Sequence, residues 1–294
     1  MKLSFIGLGA MGRGMALNLA GADAEYIVCD VNERAFEDFK QKGIKCTTDK
    51  SKAADAYIIF LCLPDEKIVN KVLFAEDGIA NKMRPGQIIV DCSTINYLSA
   101  MEIASRLEAL GIEFMDAPVS GMQARAEEGT LAIMCGGKKE IYDAVKQYLD
   151  LMGTNVQHMG RVGNGQLTKM INNCIYNVNC AAMAEMLAVA AKLGLDPEQI
   201  GNVVNTGTAR SQASEYFIPR ILNRDFEYNF SMHAAYKDLV NASEVCMAEA
   251  LPTPVLDSAT SVYKSALLKG LGDLYKGAMI CVYEDLMGIK FTKK

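Results

Sequence analysis

Lys169 and Asn173 stand four residues apart in Gly163-Asn-Gly-Gln-Leu-Thr-Lys-Met-Ile-Asn-Asn173, a spacing that puts both on one face of a helix. An amine can take or give a proton, and an amide can orient the hydroxyl or carbonyl on which it acts. Asn172 and Tyr176 share that side, at three and seven residues from Lys169. Just past a Gly-rich hinge, this polar stripe could face a cleft between two domains; a solvated Lys on an exposed face is the ordinary alternative. Ser120, in Asp116-Ala-Pro-Val-Ser-Gly-Met122, could join nearby backbone N–H groups in an anion nest. Lys237 and Asp238 open a helical stretch and could reach back to the cleft; a surface ion pair, worth little, is the alternative there. Two His, no C-x-x-C pair and no Cys/His cluster argue against a metal site.

The elements that must position these groups follow from the apolar pattern. Lys2–Gly7 reads as a short buried strand, Gly7-Leu-Gly9-Ala10-Met11-Gly12 as a turn, and Arg13–Ala20 as a helix. Gly-x-Gly-x-x-Gly alone is a weak signal, but strand before and helix after are the context a dinucleotide loop needs. The first Gly permits the tight turn, the second lets the backbone approach a pyrophosphate, and the third lets helix pack on strand. A second strand, Tyr26–Asp30, ends in an acid eighteen residues after Gly12. A carboxylate there accepts from the adenosine ribose and repels a 2′-phosphate, so NAD is expected in preference to NADP; a plain turn residue is the alternative. Further strands are expected at Tyr57–Leu63, Gln87–Asp91, Glu113–Pro118, Leu131–Gly136 and Thr154–His158, alternating at first with helices over 33–42, 65–74 and 97–110. That alternation means a parallel sheet with helices on both faces. Ligands of such sheets lie beyond the strand C-termini, which makes Leu63, Pro64 and Thr94 candidate cofactor contacts.

From Gly165 onward helical periodicity replaces the strand pattern, over 165–193, 197–205, 210–222, 235–249, 252–269 and 273–287. Asp196-Pro197 reads as an N-cap followed by Pro at the first helical position, and Thr253-Pro254 repeats the signal. On the long first helix, Leu167, Ile171, Cys174, Val178, Ala182, Met186, Val189 and Leu193 form the apolar stripe expected to face a core. The expected architecture is an α/β Rossmann-type dinucleotide-binding domain over 1–162, then an all-α domain over 163–294 that begins with a long interdomain helix.

Composition bounds the rest. A formal charge of -5 with no basic block argues against nucleic acid. No uninterrupted apolar run approaches the length of a membrane span, and no signal peptide is visible. Nine scattered Cys fit a reducing cytoplasm rather than a disulfide framework.

These motifs, in this order, resemble the β-hydroxyacid dehydrogenase family, which includes 3-hydroxyisobutyrate dehydrogenase and tartronate semialdehyde reductase. The resemblance rests on Gly7–Leu19, Asp116–Gly121, Gly163–Asn173 and Lys237-Asp238-Leu239, and spans nearly the whole chain. It implies that Lys169 is the catalytic residue and that Ser120, Gly121 and Asn173 contact substrate. It likewise implies that Met11, Leu63, Thr94 and Lys237 contact cofactor, and that Phe230 and Asp238 line the closed cleft. One departure stands out: the family commonly has a second Gly after Ser-Gly, and here Met122 occupies the place, where a side chain could narrow the anion pocket or redirect the substrate tail.

The implied reaction is hydride transfer between NAD and the carbinol carbon of a small 3-hydroxy acid, giving its semialdehyde. Lys169 would take the hydroxyl proton, and Ser120 with its backbone neighbours would hold the substrate carboxylate. Free Lys has a pKa near 10.4; burial, or a cation such as Lys237, would bring it toward a useful value. Arg125 could add charge to the anion site or be a surface residue. Tartronate semialdehyde or succinic semialdehyde is an alternative substrate, and a cofactor-binding module without catalysis is the non-enzyme alternative. A homodimer or homotetramer is expected.

Overall fold

The computed structural model describes residues 1–227 and 231–293. The chain forms two compact units, Met1–Lys169 and Met170–Lys294.

In the first unit the chain runs β1 (Lys2–Ile6), α1 (Ala10–Leu19), β2 (Glu25–Cys29), a 3-10 turn at Glu33–Phe36, α2 (Glu37–Gln41), β3 (Lys45–Thr47), α3 (Lys50–Ala53), β4 (Ile58–Leu61) and α4 (Glu66–Phe74). It continues through a 3-10 turn at Ala80–Lys82, β5 (Ile88–Asp91), α5 (Tyr97–Glu108), β6 (Glu113–Asp116), β7 (Val119–Ser120), α6 (Met122–Glu128), β8 (Leu131–Cys135), α7 (Lys139–Leu149) and β9 (Gly153–His158). Helix α8 (Asn164–Lys192) begins here and continues into the second unit.

Six strands form a parallel sheet in the order β3-β2-β1-β4-β5-β6. Its central strands are continuous apolar runs, Ile-Ile-Phe-Leu in β4 and Ile-Ile-Val in β5, because both faces are covered. Leu3, Phe5 and Phe60 serve one core; Ile59, Leu61 and Ile89 serve the other. Each such side chain contributes roughly 1.5–3 kcal/mol when fully buried. The register aligns Ile6 with Leu61, Leu61 with Asp91, and Asp91 with Asp116, so the C-terminal ends of four strands meet along one edge. The strands at 119–120, 131–135 and 153–158 do not extend this sheet. They form a separate one, ordered β7-β8-β9 with an antiparallel β7/β8 pair.

In the second unit, α9 (Pro197–Thr206), α10 (Gln212–Leu222), α11 (Met232–Ala248), α12 (Pro254–Leu268), a 3-10 turn at Lys276–Met279 and α13 (Ile280–Met287) pack with α8. Asp196 caps α9 by accepting from the Glu198 N–H, with Pro197 in the first turn. Thr253 makes no such cap bond, although Pro254 does open α12.

The expected core stripe of α8 is corrected. Ile171, Ala182, Met186 and Leu193 are exposed, while Cys174 and Val178 pack only partly. The buried face is instead Asn177, Cys180, Ala181, Ala184, Leu187 and Ala188. From Cys180 onward this helix is apolar nearly all round, so periodicity does not choose a face. Small residues do, because they let neighbouring helices approach. By length and composition α8 could cross a bilayer, but its small-residue face lies in the helical core.

Candidate functional site

The loop after β1 is fixed by close backbone approach. A Cβ at Gly7 would stand 2.3 Å from the Cys62 carbonyl oxygen, and Gly7 has φ +100°. A Cβ at Gly12 would stand 2.0 Å from the Gly7 carbonyl oxygen. Gly9 differs: nothing lies within 4 Å of a Cβ placed there. It precedes α1, makes no side-chain cap, and is followed by a first turn without acidic residues. Gly9 and Ala10 are exposed and Met11 is half-buried. An exposed helix N-terminus with free N–H groups and a bare glycine before it fits a pyrophosphate.

Asp30 follows β2 and is locked beside this loop. Its Oδ2 accepts from the Leu8 N–H at 2.6 Å and its Oδ1 from the Asn32 N–H at 2.8 Å. Val31 next to it is 94% exposed, an apolar side chain held in solvent where the adenosine end of a dinucleotide would lie. Leu63 and Pro64 leave β4; the Leu63 N–H donates to Ser93 Oγ at 2.9 Å, joining this turn to the one that carries half-buried Thr94.

Two buried acids end β5 and β6. Burial pushes Asp91 up to about 7, although the Ser93 backbone N–H donates to its Oδ1 at 3.0 Å. Burial likewise pushes Asp116 up to about 6, against the effect of the N–H groups it accepts. Those come from Gly163, at 2.7 Å to Oδ1, and Gln166, at 2.8 Å to Oδ2. Gln166 is itself buried: its amide donates to the Ser93 carbonyl at 2.7 Å and accepts from the Ile95 N–H at 3.3 Å. The first turn of α8, which leads to half-buried Lys169 three residues beyond Gln166, is thus bonded to the turn that holds Thr94 and to the strand end that leads to Ser120.

Ser120 closes β7 and Gly121 turns the chain at φ +148°, where a Cβ would meet Arg125 and Leu131 at 2.9 Å. Met122 opens α6 at φ +61° with its side chain 48% exposed. That backbone region favours glycine. Arg125 is exposed and its Nε donates to the Thr130 hydroxyl.

In the second unit, the Asn173 amide donates to Asp238 Oδ2 at 2.8 Å. Asp238 is buried, and this bond fixes which end of the amide is the acceptor. Lys237 is half-buried on α11. Phe230 lies outside the described residues. For Asp116 and Gln166 the sequence carries one signal, an acid inside the apolar run Phe114-Met-Asp-Ala-Pro118, which must find donors when buried.

Two family comparisons cover most of the chain. Residues 2–160 match the NAD binding domain of 6-phosphogluconate dehydrogenase. Residues 163–283 match the NAD-binding domain of NADP-dependent 3-hydroxyisobutyrate dehydrogenase. The 2-(hydroxymethyl)glutarate dehydrogenase of Eubacterium barkeri is 33% identical over 99% of this chain and 98% of its own length. The 2-hydroxy-3-oxopropionate reductase of Escherichia coli K12 is 34% identical over 99% and 100%. Among solved structures, 3-hydroxyisobutyrate dehydrogenase from Salmonella typhimurium superposes with a TM-score of 0.85 at 28% identity, covering 96% of this chain and 99% of that one.

Proposed function

This chain belongs to the β-hydroxyacid dehydrogenase family, and from that premise we propose that it interconverts a small 3-hydroxy acid and its semialdehyde, with Lys169 as the proton-transfer residue. The observation that carries the assignment is the bonding of the Lys169-bearing turn. It is tied through Gln166 to the Ser93–Ile95 turn and through Asp116 to the strand end before Ser120. This tie between the start of α8 and the strand ends, where ligands of a parallel sheet sit, supports the role proposed for Lys169.

NAD, when bound, supplies the hydride acceptor. The Gly9 loop and the first turn of α1 hold its pyrophosphate. Asp30 accepts from the ribose hydroxyls and its charge opposes a 2′-phosphate, so the cofactor is NAD rather than NADP. Ser120 and Gly121 hold the substrate carboxylate. As a neutral amine, Lys169 takes the hydroxyl proton during oxidation; as an ammonium it returns that proton to the forming alkoxide during reduction. Holding these groups in place contributes a large part of the rate. Asn173 and Asp238 are assigned to orienting substrate, and Leu63, Pro64, Thr94 and Lys237 to cofactor contact.

The test is absorbance at the NADH band, with 3-hydroxyisobutyrate and 2-(hydroxymethyl)glutarate given oxidised NAD or NADP and 2-hydroxy-3-oxopropionate given NADH or NADPH. One compound should turn over with NAD at least about tenfold better than with NADP. Lys169→Ala should then lose about 100-fold or more in kcat, within the span of general acid–base catalysis, while still binding NADH. Near-normal turnover by that variant would sink the assignment.

A homodimer or homotetramer is proposed from the exposed side of α8. Ile171, Ile175, Met186 and Leu193 recur there at helical spacing, and a two-fold axis would set the same apolar stripe of a second copy against it. Sedimentation as a 32.0 kDa species alone would remove that assembly. A cytoplasmic site is proposed because all nine Cys are free thiols; recovery of the protein outside the cytoplasmic fraction would overturn it.

A further inference from the structure

The first turn of α8 has no acidic residue of its own, yet its N–H groups do not go unmet. The acceptor comes from β6. Asp116, fully buried, takes the N–H of Gly163 with one carboxylate oxygen and that of Gln166 with the other. A carboxylate at a helix N-terminus meets both the orphan donors and the positive end of the helix dipole. The fit is close: a Cβ at Gly165 would stand 2.7 Å from Asp116 Oδ2 and 2.3 Å from the Met134 carbonyl oxygen. Asp116 is also held at its backbone, by paired hydrogen bonds with Gly136 at 3.0 and 2.7 Å. On the other side of the turn, Gln166 bonds the Ser93 carbonyl and the Ile95 N–H.

We propose that Asp116, with Gln166, is a positioning residue for Lys169. Together they lock the first turn of α8 to the ends of β5 and β6, so that the amine three residues beyond Gln166 meets its substrate at a fixed place. The proposal rests on the proton-transfer role given to Lys169 above. Asp116 touches no substrate in this scheme; it acts through the helix. A displacement of about 1 Å at a reacting group costs on the order of 100-fold in rate, so a loosened first turn is felt in kcat before it is felt in cofactor affinity.

The experiment is a double-mutant cycle in the whole protein, using whichever of the three compounds named above the wild type turns over fastest. Asp116→Asn keeps one acceptor oxygen and turns the other into a donor that faces an N–H. Its kcat should fall about 10- to 100-fold, with NADH affinity by fluorescence within about twofold and the folded far-UV spectrum kept. In a Lys169→Ala background the same change should lower residual kcat by less than about twofold, because groups that act as one unit are not additive. Gln166→Glu keeps the acceptor for Ile95 and loses the donor to Ser93. It should show the same pattern at smaller amplitude and serves if Asp116→Asn does not fold. Unchanged kcat in Asp116→Asn, or an equal loss in both backgrounds, overturns the proposal, as does failure of both variants to fold, which would leave the clamp a folding device only. If Lys169→Ala itself keeps wild-type kcat, the role given to Lys169 fails instead.

Discussion

Two loops at the ends of strands do different work in the first unit, and their glycines differ accordingly. In the loop after β1, Gly7 and Gly12 are dictated by the protein itself, since a methyl at either would collide with backbone oxygen. Of these three only Gly9 faces open space, so the fold itself does not require its missing side chain, and the role proposed for it is toward the cofactor. In the loop after β7, Gly121 is likewise forced, by φ +148° and by Arg125 and Leu131. The next residue, Met122, carries a full side chain at φ +61°. The first loop is the one proposed above to hold the pyrophosphate of the cofactor. The second lies beside Ser120, proposed above to hold the substrate carboxylate, and there the chain carries a full side chain on a left-handed backbone.

The same methyl group can break this comparison. Gly12→Ala should destabilise the first unit by about 3 kcal/mol or more, because a 2.0 Å approach to a backbone oxygen demands movement of the loop or helix. Its thermal midpoint by circular dichroism should fall by roughly 6 °C or more. Gly9→Ala should leave that midpoint within about 2 °C, yet weaken NADH about tenfold or more, about 1.4 kcal/mol, as read by fluorescence titration. If the two variants behaved alike, the distinction between a fold glycine and a ligand glycine would be lost.

Legibility in the sequence follows the same physics. β1, β4 and β5 are apolar runs closed by Gly, Pro or Asp, and the Gly-rich loop sits between strand and helix as its chemistry requires. β3 spans three residues and β7 two, too short for a period to register. The separate second sheet was hidden for another reason: its strands look like any others until pairing is known. The buried face of α8 was misassigned because Ile171, Met186 and Leu193 are more apolar than the Cys and Ala residues that pack. Lys169, Ser120 and Gly121, to which the proposed function gives roles, stand in motifs that the sequence alone displays. The clamp on α8 was not legible there, because Asp116 meets donors 47 and 50 residues away. No local pattern records such a pairing; only the buried acid at the end of an apolar strand hints that one must exist.

Met122→Gly gives the smallest effect and the sharpest contrast. A non-glycine residue in the left-handed region costs roughly 1–2 kcal/mol, while glycine gives back about 0.5–1 kcal/mol through the freedom of the unfolded chain. The variant should therefore be more stable by about 0.5 kcal/mol, a shift of only a degree or two in the thermal midpoint. Its effect on selectivity should exceed its effect on stability. Removing the side chain opens the loop beside Ser120, so kcat/KM for the bulkier 2-(hydroxymethyl)glutarate should rise about threefold relative to 2-hydroxy-3-oxopropionate, within the modest range that one apolar contact supplies. Cofactor affinity should not move, since the loop after β1 is untouched. An unchanged ratio between the two substrates would show that Met122 carries strain without setting selectivity. The difference between the two loops would then lie in the backbone alone.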